Sequence, residues 1–137
     1  MLKKAFTALL ISSTFFACSS DKALEKALTD SVVSMHDKIM ADDDAIMKNK
    51  IKLDALAAKD PSAAVKDSVA AYKKILGDAD DVMMGWMNSF NLDYTGKSHA
   101  DIMDYLDKQK QQIIKVRSQM DGAIAKSDKY ISKATAK

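Results

Sequence analysis

Residues 81–90 read DVMMGWMNSF, and three pairs of soft or nitrogen donors recur at one spacing: His36 with Met40, Met83 with Met87, and His99 with Met103 are each four residues apart. On a helix that spacing puts both members of a pair on one face. Thioether sulfur is a soft ligand that suits Cu(I), imidazole binds the same ion, and an indole face stabilises a cation beside it. The metal candidates on this chemistry are His36, Met40, Met83, Met84, Met87, His99 and Met103. Cu(I) is the ion they suit, with haem iron as the other cofactor of that kind. Methionine also fills irregular gaps and makes sulfur–aromatic contacts, so a Met-rich layer around Trp86 and Phe90 packs well as plain core. Core packing without a cofactor is the expectation, and the soft-metal or haem site is its alternative. His99, placed in a first helical turn, reads as a surface histidine.

Other chemistry is sparse. The run Asp42–Asp44 lacks the glycine and terminal glutamate of a calcium loop. Asp43 precedes Lys50 and Asp54 on nearly the same side of a helix, which suggests a charge ladder within that helix. The sequence has no nucleophile elbow, phosphate loop, HExxH or dinucleotide fingerprint. No catalytic residue is assigned, and the chain is not expected to be an enzyme.

The first residues must be separated from the fold. MLKK is a positive start, AFTALLISSTFFA is an apolar run, and Ala17 precedes Cys18, the single cysteine. This is the pattern of a secretory leader, and the run is short for a membrane span. FFAC resembles the bacterial lipobox, with Phe15 and Phe16 in place of the usual leucine and small residue, which makes Cys18 the lipidation candidate. The domains expected are a leader at 1–17, a linker at 18–22, a helical domain at 23–134 and a frayed tail at 135–137. Lys3 and Lys4 account for the net charge of +2, so the chain from Cys18 onward is neutral. A neutral chain with interleaved Lys and Asp gives no reason to expect nucleic acid.

Four glycines and one proline leave little material for the turns of a β fold, and the apolar spacing is helical. Leu24, Leu28, Val32, Met35, Ile39, Ile46 and Leu53 follow steps of three, four and seven. Asp60 and Pro61 then suggest a cap with proline at the first helical position. Val65, Val69, Tyr72, Leu76, Ala79, Met83, Met87 and Phe90 stay in phase through Gly77 and Gly85, which fall on the polar side. NLDYTGKS forms a loop with Gly96 at a positive-φ position, and Ser98 with Asp101 resembles a capping box. Ile102, Leu106, Ile113, Val116, Met120, Ile124 and Ile131 mark the third helix. The fold class expected is all-α: an elongated antiparallel three-helix bundle with helices at about 21–58, 61–90 and 98–133. Val33, Met40 and Met47 widen the first apolar arc enough to leave surface for a further helix.

Antiparallel packing matches positions across the turns. A reversal near residue 60 sets His36 level with Met84, and one near residue 95 sets Met87 level with Met103. Six of the eight methionines beyond the leader, and both histidines, then gather at one end of the bundle.

HDKIM at 36–40 and MMGWMNSF at 83–90, with the lipobox-like start, resemble a group of small Bacteroidota lipoproteins, often carried under the label "viral A-type inclusion protein". The resemblance implies a helical, membrane-anchored envelope protein, and with the lipobox-like start the expectation is a lipidated (palmitate) protein held in the outer membrane, facing the periplasm or exposed at the surface. Its bundle would serve as a structural or interaction module, with an envelope protein or a second copy as partner. Ala41 and the three aspartates stand where that group tends to have Pro and Met, and Asn88 where it often has His. Both departures remove soft ligands.

Overall fold

The computed structural model describes residues 15–136. The leader expected at 1–17 lies outside the described residues up to position 14, and the side chain of Cys18 lies outside the described side chains. Three helices follow in order, α1 Phe15–Lys59, α2 Ala63–Ser89 and α3 His99–Thr135. Each packs on both others, and no strand occurs among the described residues. The expected three-helix architecture is what forms. The stretch 18–22, expected as a linker, is helical and continuous with α1.

Glu25 meets His99 and Asn49 meets Ser127 across α1 and α3, so these two helices run parallel. Lys50 meets Asp80 and Asp54 meets Lys73 across α1 and α2, so α2 runs against them.

The core repeats every seven residues. Val32, Ile39, Ile46 and Leu53 of α1 are each fully buried and seven apart. On α3 the buried positions Ile102, Leu106, Gln109, Ile113, Val116, Met120, Ala123 and Ser127 follow alternating steps of four and three, and Ile131 comes after a second step of four. Val69, Leu76, Ala79, Met83 and Trp86 supply α2. A seven-residue repeat slightly underwinds each helix and keeps one seam facing inward, the geometry of left-handed coiled-coil packing. Burying each large aliphatic residue in that seam contributes about 1.5–3 kcal/mol.

Leu24, expected on the stripe, is 54% exposed. His36 is level with Trp86 near the end of α2, so α1 before about residue 32 has no α2 beside it, and Leu24 is left exposed among the described residues. The α1–α2 connection also differs from expectation. Ser62, in extended conformation, is the N-cap of α2, and Asp60 accepts a hydrogen bond from the Ser62 backbone N–H at 3.1 Å. That side-chain turn spans Pro61 and delays the helix, so Pro61 precedes the cap instead of opening the helix.

The other connection follows its sequence signals. Gly96 has φ 76°. Ser98 and Asp101 form a reciprocal capping box at the start of α3, which satisfies two of the N–H groups that a helix start leaves free. Gly77 and Gly85 lie inside an unbroken α2; Gly85 is exposed and Gly77 half-buried.

Candidate functional site

The α2–α3 loop end collects most of the residues selected on chemical grounds. Its centre is a ladder of rings. Trp86 stacks on Phe90 with centroids 4.9 Å apart, and Phe90 lies nearly parallel to Tyr105 at 6.4 Å. Tyr94 meets the edge of Tyr105 at 6.2 Å, and the Lys97 ammonium stands 5.0 Å above the Tyr105 ring. The loop is tied to α3 by the Asn91 N–H, which donates to the Tyr105 hydroxyl at 2.8 Å. His36 of α1 tilts against Trp86 at 5.9 Å, two residues from the level expected for it.

The seven metal candidates do not share one environment. Met83 is buried in the seam, whereas Met40 and Met84 are 40% and 49% exposed. Met87 and Met103 are half-buried. His36 is half-buried on Trp86, and its Nδ1 is 3.2 Å from Asp37. His99 is not a free surface histidine: its Nδ1 lies 2.7 Å from Glu25 and its Nε2 3.7 Å from Asp21. These are hard oxygen partners on α1, one turn apart. The His99 ring thus ties the start of α3 to α1 beyond the reach of α2. Among the described residues no group of three or more His, Cys, Asp or Glu side chains is arranged to hold a metal ion.

The charge ladder expected along α1 is replaced by pairs between helices. Lys50 reaches Asp80 at 3.4 Å, and Asp54 accepts from Lys73 at 2.7 Å. Lys50 and Asp54 face α2, so their ion-pair partners lie across the seam.

Three polar residues occupy core positions that an apolar-only pattern passes over. Asn49 donates to the Ser127 hydroxyl and to Asp128, both at 2.9 Å, and the Ser127 hydroxyl donates to the Ile124 carbonyl at 2.9 Å. Gln109 is 7% exposed, and its Oε1 has no hydrogen-bond partner among the described residues. The same holds for Trp86 Nε1 and the Tyr94 hydroxyl. Counting fours and threes along α3 from Ile102 reaches Gln109 and Ser127, so their burial was readable in the spacing although their residue types argued against it.

Three carboxylates in the connections are held below the ordinary aspartate range. Ser62 backbone and side-chain hydrogen bonds lower Asp60, the Thr95 hydroxyl and N–H lower Asp93, and the Ser98 hydroxyl and N–H lower Asp101. Each helps to fix a turn, and Asp60 also lines a cavity at the α1–α2 turn.

Comparison with protein-family models, with curated proteins and with solved structures finds no match. The class that fold and site define is an all-α three-helix bundle with an aromatic- and Met-rich layer at its loop end.

Proposed function

We propose that the chain is a lipid-anchored lipoprotein of a bacterial envelope, in the outer membrane and facing the periplasm, whose bundle is a structural or interaction module without enzymatic activity. The observation that carries this is the position of the single cysteine, directly after a basic start and an apolar run. Among the described residues no helix is long and apolar enough to cross a membrane. The unbroken course of α1 from Phe15 would join an anchor on Cys18 to the bundle through continuous helix. An interaction role is supported by Met40, Met47 and Ile51, exposed by 40%, 50% and 65% on one stretch of α1. Apolar residues grouped on a surface are typical of contact sites.

The test is expression of the full chain in a Gram-negative host fed an alkyne-bearing fatty acid. The chain is expected to take the label and sediment with membranes, and Cys18→Ser to lose both properties. An unlabelled chain, or label retained by Cys18→Ser, overturns the anchor. Crosslinking in native envelopes tests the module, which fails if only lipid or monomer is recovered.

A further inference from the structure

We propose that the opposite end of the bundle, at the α1–α2 turn, binds a long-chain carboxylate such as a fatty acid. Its chain would fill a cavity floored by Leu56, Val65, Tyr130 and Ala134, and its head would face Lys59 and Lys133. This goes beyond the lipoprotein reading and does not depend on Cys18.

The cavity has a volume of about 860 Å³, within the ~300–1,000 Å³ of ordinary small-molecule sites. Leu56 and Val65 line it while packing against the core from its edge. Tyr130 forms a wall, fixed by stacking on Tyr72 with centroids 4.6 Å apart. The space stays open because the connection at 60–62 has no large side chain to fold inward, and α3 ends on Ala134, Thr135 and Ala136. An apolar floor calls for a hydrocarbon chain.

Charge supplies the head group. Residues 48–74 and 121–136, which form this end, hold ten lysines and five aspartates; the remaining residues from 19 to 120 hold eight basic and fourteen acidic side chains. The nearly balanced charges of this stretch are therefore sorted by folding into a basic end and an acidic end. Two of the five aspartates are in ion pairs, Asp54 with Lys73 and Asp121 with Arg117, while Asp60 and Asp128 accept hydrogen bonds from the neutral Ser62 N–H and Asn49 amide and keep their charge. Lys52, Lys59, Lys126, Lys129 and Lys133 form no ion pair among the described residues. Two clefts of about 460 and 520 Å³ flank the cavity and are lined in part by these same lysines. Lysines in the last turn of a helix complement its dipole, which accounts for Lys59 and Lys133. It does not account for Lys52, Lys126 or Lys129, which stand further back. The lining carries two ammonium groups, Lys59 and Lys133, against one carboxylate, Asp60, so the pit keeps a net positive charge that matches one acyl chain with one anionic head.

Titration of the full chain with dodecanoate below its micelle concentration, followed by methyl and indole NMR, tests this. Saturable binding of one equivalent is expected, with shifts at Leu56, Val65 and Ala134 and none at the Trp86 indole, which lies at the other end. Lys59→Gln combined with Lys133→Gln, both at exposed positions, is expected to weaken binding by about tenfold, the loss of a charge-assisted contact. Dodecanol should bind weaker by a similar factor, and Ala134→Trp should abolish binding while circular dichroism reports an intact bundle. Failure to saturate, equal affinity for dodecanol, or an unchanged affinity in the double lysine variant would overturn the proposal. So would inorganic phosphate competing as well as dodecanoate, or binding seen only with anionic phospholipid vesicles, since either needs the charge without the pit.

Discussion

The two ends of the bundle solve the same problem in opposite ways. Where α2 hands over to α3, nine residues from Phe90 to Ser98 separate the helices, and rings from the loop and both helices stack over the end. Where α1 hands over to α2, three residues suffice and the described residues leave a cavity. The closed end is acidic in its surroundings and leaves Trp86 Nε1, the Tyr94 hydroxyl and Gln109 Oε1 without hydrogen-bond partners among the described residues. The open end is basic, and the buried Asn49 nearest to it is hydrogen-bonded. Filling an end with aromatic rings contributes apolar burial but strands the polar atoms those residues carry. A short connection avoids that cost and leaves a cavity.

The largest test of this contrast is truncation. Trp86→Ala at the closed end is expected to lower stability by about 3–5 kcal/mol in urea unfolding. Tyr130→Ala, beside an existing cavity, should cost markedly less, because fewer packed neighbours lose contact. Equal losses would mean that both ends are packed alike.

The buried polar positions should differ in sign. Gln109→Leu removes an acceptor that has no partner and is expected to gain about 1–2 kcal/mol, whereas Asn49→Leu breaks bonds to Ser127 and Asp128 and is expected to lose about as much. A loss at Gln109 measured by the same unfolding curves would show that its amide is satisfied in solution.

Smaller again is His99→Ala. It removes a half-exposed tie between α3 and α1 and is expected to cost less than about 1 kcal/mol overall. Its effect should be local: faster amide exchange over residues 19–28, with the turn end unchanged.

Acid gives the smallest contrast. Asp60, Asp93 and Asp101 are held below the ordinary aspartate range in the fold, so their contribution is full above that range and falls as pH drops through the lowered values. Two of the three lie in or beside the α2–α3 loop. Amide exchange there is therefore expected to rise more than at the α1–α2 turn as pH is taken below the ordinary aspartate range. The opposite order would place the acid-sensitive joint at residue 60.

Much of this was legible in the letters. Helical spacing gave three helices, Gly96 and Ser98-x-x-Asp101 gave the second connection, and matching residues across the turns brought His36 within two positions of its ring partner. Such features are local: they follow from backbone preferences and from the period at which apolar residues recur. The misses share a different character. Leu24 continues the stripe, yet stands where no third helix reaches. His99 has an unremarkable surface sequence and meets Glu25 only because α3 starts level with it. Asp60 and Pro61 suit a helix start, and the hydrogen bond that the Ser62 N–H donates to Asp60 moved the start onward.

By itself the sequence determined the number of helices, the repeat that makes them pack, and the absence of net charge from Cys18 onward. Tertiary structure alone decided how that charge is distributed. Lysines from 48–74 and from 121–136 are far apart along the chain and become one basic end when parallel α1 and α3 finish at the same level. Electrostatic fields depend on distance through space, and composition carries no record of that distance.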